Sequence, residues 1–294
     1  MKSVKIGLAQ SRQTSEVRTN EQTIFRFLDE AAAGGVRILC FPEGQTVGYR
    51  VDITPPNAPV PAEQLEDIHR RIADRCGQLG IACILGTETP CSSGSGGGKP
   101  YNSALVISET GKMLGTHHKT KLTPLDALAY TPGEHFETFD LAGVTIGVVI
   151  CFEGFRFPES TRQCVGQGAQ IVFHPQNNTT RPNDWKIPIH HAMIVTRAAE
   201  NTIWLASCNA CLEHQNCRSM IVAPDGQVHA QTELKREQLL TAEVDIDRAT
   251  LAMFNFDVEA CAELLFADTV KRAEFKLVLP EAPRRPGFRA SHGT

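Results

Sequence analysis

The 294-residue chain has no long apolar run. Its longest, at about 144–150, falls far short of the roughly 20 residues that a membrane-spanning helix needs. Charge of one sign is not in excess either, since 29 lysines and arginines face 33 aspartates and glutamates. Nucleic-acid-binding proteins usually carry a broad basic excess. We therefore expect neither a membrane nor a nucleic acid as a partner.

We also expect no export signal. The opening residues, MKSVKIGLAQSRQ, contain neither a long apolar stretch nor a small-residue cleavage site, and they have the pattern of a first strand. Of the ten cysteines, several lie inside apolar runs, which is typical of reduced thiols and not of a disulfide framework. These cysteines are Cys40, Cys83, Cys151 and Cys208. We expect a cytoplasmic protein.

Two patterns that can indicate a bound ligand are incomplete. The glycine-rich segment 92–100 lacks the closing Ser or Thr of a phosphate-binding loop, because Pro100 stands there. A second segment places three cysteines and a histidine at spacings that resemble a zinc-binding set. Its members are Cys208, Cys211, His214 and Cys217. Packing cysteines and a surface histidine also account for this spacing, so we predict no metal and no cofactor.

Short β-branched runs alternate with segments of helical spacing along the chain. The runs predict strands at 4–9, 36–41, 81–86, 104–108, 144–150, 171–173 and 203–207, followed by a meander over 220–244. Helices are predicted at 20–33, 62–79, 157–166 and 189–200. This alternation predicts a layered α/β sandwich. We assign residues 1–279 to one domain and 280–294, which are rich in Pro and Arg, to a tail without a core of its own.

One cysteine stands where a nucleophile would be presented. A predicted buried strand runs directly into Cys151, and a helix is expected about six residues later. A thiol at such a turn lies at the carboxyl end of a sheet, beside backbone N–H groups that can lower its pKa and receive an oxyanion. Taken alone, Cys151 could equally be one more buried cysteine.

Three separated segments carry a family resemblance. They read CFPEG at 40–44, HHKTKL at 117–122 and VVICFEGFRFPE at 148–159. In this order they resemble the three signatures of the nitrilase superfamily of carbon–nitrogen hydrolases. Flanking segments extend the resemblance over nearly the whole chain: KIGLAQ, TPGE, RAAENTIWLASCN, PDGQV and LLTAEVDID. It implies an α/β fold of four α-β-β-α layers.

The resemblance implies a catalytic role for three residues. Glu43 would be the general base and later the acid, Lys119 the cationic support and Cys151 the nucleophile. The residue chemistry agrees, because a thiol needs a proton acceptor and the leaving amine needs a donor. Lys119 and the backbone N–H of Phe152 would stabilise the oxyanion that precedes a thioester.

The chain departs from the family pattern at two positions. Lys121 occupies the place of a common histidine; the family pattern favours Lys119 as the lysine that points inward, with Lys121 as the alternative. A second family glutamate is matched by Asp126, whose reach is about one methylene shorter, and we predict that Asp126 assists Lys119. Glu134, just after the Pro-Gly pair, is the alternative for this second acid.

The acidic and basic side chains that follow Cys151 in the chain are interpreted as structural. Glu153 stands where many family members have an acid, and an acid in the first turn of a helix is stabilised by the helix dipole. Arg156 is its candidate partner. Glu159 belongs to the start of the following predicted helix.

Substrate contacts are expected from the loop 174–186. Asn177 and Asn178 offer amides, Arg181 offers a bidentate fork for a carboxylate and Trp185 offers a flat wall. Phe152, next to the nucleophile, joins this predicted set. The alternative is a polar surface loop.

These inferences lead to a hydrolase of an amide or an N-carbamoyl amine of a small molecule, acting through a thioester. The alternatives are a nitrilase, an acyltransferase that uses the same thioester, and a non-catalytic scaffold. Family nitrilases commonly have Trp where this chain has Phe152, which favours an amidase. The resemblance also implies a homodimer or larger assembly, with helix 187–201 as a candidate interface and the tail 280–294 reaching the partner.

Overall fold

The computed structural model describes residues 2–52, 58–91, 98–180 and 183–251. The strands are β1 (Ser3–Gln10), β2 (Ile38–Cys40), β3 (Ala82–Thr89), β4 (Tyr101–Ile107), β5 (Met113–His118), β6 (Thr138–Leu141), β7 (Val144–Val148), β8 (Ile171–Gln176), β9 (Trp204–Asn209), β10 (Met220–Val222), β11 (Val228–Gln231) and β12 (Gln238–Asp245). The helices are α1 (Val17–Ala33), α2 (Ala62–Leu79), α3 (Asp126–Ala129), α4 (Phe152–Arg156), α5 (Pro158–Gly166) and α6 (Lys186–Asn201).

The described strands form two six-stranded mixed sheets. The first has the order β12-β1-β2-β3-β4-β5 and the second the order β11-β10-β9-β8-β7-β6. Each sheet has three parallel strands at its centre, β1-β2-β3 in one and β7-β8-β9 in the other, with antiparallel strands outside them. Parallel strands need crossover helices, which is why α1, α2, α5 and α6 separate them in the chain.

Three apolar clusters define the layers. Side chains of both sheets meet in a central core that includes Ile6, Ile38, Val148 and Phe173. A second cluster lies between the first sheet and helices α1 and α2, and a third lies between the second sheet and helices α5 and α6. The layers are therefore helices, sheet, sheet and helices. This confirms the predicted α-β-β-α sandwich.

The segment after the nucleophile strand differs from the prediction. The predicted helix 157–166 is confirmed as α5. An additional helix, α4, begins at Phe152, directly after Cys151. It is short because the chain becomes extended at Phe157, before Pro158 opens α5. Gly154 allows α4 to approach the second sheet, since an added Cβ there would lie 2.7 Å from the ring of His174.

Helix α6 corresponds to the predicted interface helix 187–201. Its Ile194 and Ala198 are buried in the core of their own chain, whereas Ile189 is 39% exposed. The dimer contact of this helix stays a prediction, and the tail 280–294 lies outside the described residues. Among the described helices, none is long and apolar enough to cross a bilayer.

The turn that carries Glu43 passes very close to strand β3. A Cβ added at Gly86 would overlap the carbonyl oxygen of Pro42 and come within 2.9 Å of the Glu43 Cα. We therefore expect Gly86→Ala to lower the free energy of unfolding by about 1–3 kcal/mol, measured by urea denaturation.

Gly34→Ala is the matched control for this change. Gly34 has φ −79°, and an added Cβ would meet nothing closer than 3.4 Å. Its stability should be unchanged or slightly raised. Equal stability of the two variants would contradict the close approach.

Candidate active site

Four chain segments from the two sheets converge at one edge of the sandwich. Glu43 follows β2 and Lys119 follows β5, both in the first sheet. Cys151 follows β7 and Asn177 follows β8, both in the second sheet. The candidate site thus straddles the boundary between the two sheets.

Cys151 lies in a backbone conformation that is uncommon for a side-chain-bearing residue. Its φ is 48° and its ψ is −104°, a conformation that costs on the order of 1–3 kcal/mol. Its N–H donates to the carbonyl of Pro175 at 2.9 Å, and the Nε2–H of His174 donates to the Cys151 carbonyl at 2.9 Å. Arg197 binds the carbonyl of Gly154 at 3.2 Å. These bonds hold the turn that presents the thiol.

The ring of His174 is neutral in this position. Burial lowers its pKa to about 4. The hydroxyl of Ser207 lies 3.0 Å from Nδ1, which leaves Nε2 to carry the proton that the Cys151 carbonyl accepts. This arrangement needs no charge behind the nucleophile.

Lys119 is fully buried between two carboxylates. Its Nζ donates to Glu43 Oε1 at 2.7 Å and to Asp126 Oδ2 at 2.8 Å, and its side chain is 0% exposed. Asn102 Nδ2 donates to Glu43 Oε1 at 2.7 Å, and the backbone N–H of Asn177 donates to Glu43 Oε2 at 2.9 Å. A buried ammonium is stable only when it is paired in this way.

Tyr49 and Thr123 hold the second acid. Tyr49 donates its phenol proton to Asp126 Oδ1 at 2.6 Å, and the N–H of Thr123 donates to Oδ2 at 2.9 Å. Because Asp126 also receives the Lys119 ammonium, each of its oxygens is bonded. Burial raises the pKa of Tyr49 well above its usual range, so the phenol keeps its proton.

The two carboxylates differ in proton affinity. Burial raises the pKa of Glu43, and the ammonium of Lys119 offsets this only in part. Burial also opposes ionisation of Asp126, but Lys119, Tyr49 and Thr123 together hold its pKa below its usual range. Asp126 therefore remains the charged partner of Lys119, whereas Glu43 is the group able to take and return a proton.

The thiol of Cys151 rests in its protonated form. Burial among protein atoms and the carboxylate of Glu43 raise its pKa well above the usual range. Lys119 and the backbone N–H of Asn177 act in the opposite direction and do not prevail. A backbone N–H does lower this pKa, as expected, but desolvation is the larger effect and the net pKa of the thiol is raised.

The structure decides between the two candidate lysines and between the two candidates for the second acid. Lys121 is exposed and lies 5.8 Å from the ring of Phe157, so Lys119 is the lysine that points inward. The side chain of Glu134 is 84% exposed beside His135, so Asp126 is the acid that contacts Lys119.

The residues predicted to bind substrate are only partly free to do so. Asn177 donates its amide to Gln13 at 2.8 Å. Asn178 is held by His190 at 2.9 Å and Asn216 at 3.0 Å, which favours a role in shaping the loop. Phe152 and Trp185 keep exposed surface, 60% in the case of Trp185. Arg181 lies outside the described residues.

Glu153 does not pair with Arg156. Its carboxylate is buried and accepts a hydrogen bond from Nε2 of His117 at 2.9 Å. Arg156 instead packs over the ring of Trp185, 5.3 Å from its centroid. The predicted pairing is therefore wrong, because the Glu153 side chain turns inward to the Lys119 loop and Arg156 turns outward.

The residues at zinc-like spacing, Cys208 to Cys217, lie in different environments. Cys208 is buried in the central core, where its Sγ lies 3.3 Å from the carbonyl oxygen of Cys40. His214 is exposed. In the described part of the chain, no group of three or more His, Cys, Asp or Glu side chains is arranged to hold a metal ion.

Two residues of the cluster had only a weak signal in the sequence. Asn102 is one of two neighbouring polar residues, with Ser103, in the strand YNSALVI, and a buried amide there needs a partner. Tyr49 lies just after the CFPEG segment. Neither position shows by spacing alone that it faces Glu43 or Asp126.

The family model "Carbon-nitrogen hydrolase" matches residues 5–253. The chain is 28% identical over 265 residues to an omega-amidase of Xenopus laevis, an alignment that covers 84% of this chain and 90% of that protein. It is 26% identical over 258 residues to a nitrilase of Pyrococcus abyssi, with 83% and 90% covered. The crystal structure of an amidase from Nesterenkonia sp. superposes with a TM-score of 0.71 at 24% identity, covering 84% of this chain and 92% of that one.

We expect Lys119→Met to destabilise the protein in a pH-dependent manner. Without the ammonium, Glu43 and Asp126 form an unpaired buried acid couple, and the free energy of unfolding at pH 7 should fall by about 3–5 kcal/mol. Their pKa values would then exceed those in the unfolded chain. The penalty is therefore present at neutral pH and shrinks as the pH falls and the acids take up protons. Urea denaturation at pH 7 and pH 5 measures this difference.

Lys121→Met provides the control, because Lys121 is exposed. Its effect should stay within about 0.5 kcal/mol at both pH values. A Lys119→Met loss that is the same at both pH values would contradict the paired-ammonium interpretation.

Proposed function

The chain belongs to the carbon–nitrogen hydrolase family, and from this premise we propose that it hydrolyses the amide or N-carbamoyl bond of a small molecule through a thioester on Cys151. It is an amidase-like enzyme of the nitrilase superfamily. The observation that carries the proposal is the buried Lys119 ammonium, held between Glu43 and Asp126 beside the nucleophile turn.

In the proposed acylation step, Glu43 accepts the thiol proton as the sulfur of Cys151 attacks the carbonyl carbon of the substrate. This coupling is necessary because the resting thiol has a raised pKa and supplies little free thiolate. The carbonyl oxygen becomes an oxyanion, which Lys119 and the backbone N–H of Phe152 stabilise. Glu43 then returns the proton to the nitrogen, the C–N bond breaks and the amine leaves.

Deacylation uses the same groups in the reverse order. Glu43, again ionised, takes a proton from a water molecule that attacks the thioester carbonyl. The second tetrahedral intermediate collapses, the C–S bond breaks and the carboxylic acid product forms. The proton on Glu43 returns to the sulfur of Cys151. Asp126 keeps its charge throughout, which holds Lys119 protonated and in place.

Two relatives point to related carbon–nitrogen substrates. One curated relative is an omega-amidase and another a nitrilase, so amides and nitriles both belong in a substrate screen. Phe152 in place of the tryptophan common in nitrilases favours amides and carbamoyl amines. Ammonia release from small amides, carbamoyl amino acids and nitriles would rank the three classes.

We predict that Cys151→Ala loses at least roughly 10³-fold in kcat/KM, because no other group can form the thioester. Cys151→Ser should leave at most a trace, since a hydroxyl is a much poorer nucleophile without a strong base. Mass mapping of the acyl-enzyme trapped with a slowly hydrolysed amide should place the acyl group on Cys151. Cys164→Ala is the control and should stay active. An acyl group on Cys164 or Cys208 would refute the assignment.

Asp126→Asn should lower kcat by roughly 10- to 100-fold while the protein remains folded, because a neutral amide holds the Lys119 ammonium less firmly. Circular dichroism and steady-state kinetics measure the two properties. Glu134→Gln, at the exposed alternative acid, should keep full activity. If the two variants exchanged these outcomes, the second acid would be Glu134.

A further inference from the structure

Glu153 is a buried acid that the proposed reaction does not use. Its Oε2 accepts from Nε2 of His117 at 2.9 Å and from the backbone N–H of Ile150 at 2.6 Å. Its Oε1 accepts both the backbone N–H of Thr120 and the hydroxyl of Thr120, the latter at 2.8 Å. The residue is 0% exposed. Four hydrogen bonds therefore fill its two oxygens, which leaves it no capacity to exchange protons with a substrate.

These partners lie within two residues of the two groups that must meet at the substrate. His117 and Thr120 lie on either side of Lys119 in the chain, and Ile150 is the residue before Cys151. His117 belongs to β5 of the first sheet, whereas Ile150 follows β7 of the second. One carboxylate thus joins the backbone that carries the ammonium to the backbone that carries the thiol.

The charge of Glu153 suits this purpose. Burial opposes its ionisation, but His117 and the N–H groups of Ile150 and Thr120 hold its pKa below the usual range. An ionised carboxylate accepts stronger hydrogen bonds than a neutral acid or an amide. An amide in its place would also point an N–H₂ group at donors, and would break at least one of the links.

We propose that Glu153 is a positioning residue that sets the separation between the Lys119 ammonium and the Cys151 thiol by binding His117, Thr120 and Ile150 across the two sheets. The inference rests on the proposed roles of Lys119 and Cys151. It assigns to Glu153 an effect on the chemical step itself and not only on stability.

The test compares Glu153→Gln with the unaltered enzyme by kinetics and by alkylation of Cys151. A displacement of about 1 Å can cost up to 10²-fold in rate, so kcat should fall roughly 10- to 100-fold. KM should stay within about threefold, because Glu153 contacts no substrate. Lys119 lowers the Cys151 pKa in the unaltered enzyme, so the midpoint of the pH profile for iodoacetamide alkylation should move to higher pH when the ammonium shifts.

Glu21→Gln is the matched control for a purely structural role. Glu21 is also a buried acid, bound to Arg71 at 2.6 Å between α1 and α2, away from the active site. Its melting temperature should fall while kcat and the alkylation profile stay unchanged. His117→Phe gives a second test if Glu153→Gln does not fold. It keeps the stacking on Phe136, removes one link, and should lower kcat in the same direction by a smaller factor.

The outcomes separate this inference from the proposed function. Full activity in Cys151→Ala would refute the proposed function itself. With Cys151→Ala inactive, an unchanged kcat per folded molecule in Glu153→Gln, or an unchanged alkylation profile, would refute only the positioning role. An equal loss of kcat in Glu21→Gln would show that the effect is one of stability.

Discussion

A fully buried ammonium is the constraint on which this molecule depends. Lys119 has no access to water, so its charge must be matched by groups that the fold brings to it. Glu43 comes from the end of β2 and Asp126 from the short helix α3, while Asn102, Tyr49 and Asn177 orient the two acids. Because Asn177 follows a strand of the second sheet and Glu43 follows a strand of the first, their hydrogen bond also aligns the two halves of the sandwich.

In the proposed mechanism, the same pairing gives the two carboxylates different roles. Asp126 accepts hydrogen bonds from the Lys119 ammonium and the Tyr49 phenol and stays charged, while burial gives Glu43 a higher proton affinity. The resting thiol of Cys151 keeps its proton, because burial and the negative charge of Glu43 both oppose a thiolate. In the proposed cycle, the nucleophile is therefore activated only together with its base, at the moment of attack.

Much of this could be predicted from local pattern, and the remainder depended on distant contacts. The alternation of strands and helices and the three signature segments predicted the sandwich and the family, and both are confirmed. The family pattern favoured Lys119 over Lys121 but could not show it, because burial decides which side chain turns inward. Spacing paired Glu153 with its neighbour Arg156, whereas the true partner, His117, lies 36 residues away in the chain on the other sheet. The effect of burial on the Cys151 pKa likewise requires the packed environment.

The neutral ring behind the nucleophile has a consequence for the whole fold. His174 shares its low pKa of about 4 with the buried His69 and His190 and with the partly buried His118, and burial is the main cause in each. In the unfolded chain, a histidine takes up a proton near pH 6.5. Between about pH 6.5 and pH 4 the unfolded chain therefore binds up to four protons that the native protein refuses, and acidification drives unfolding by mass action. These histidines give the protein a limit towards acid that originates in its framework.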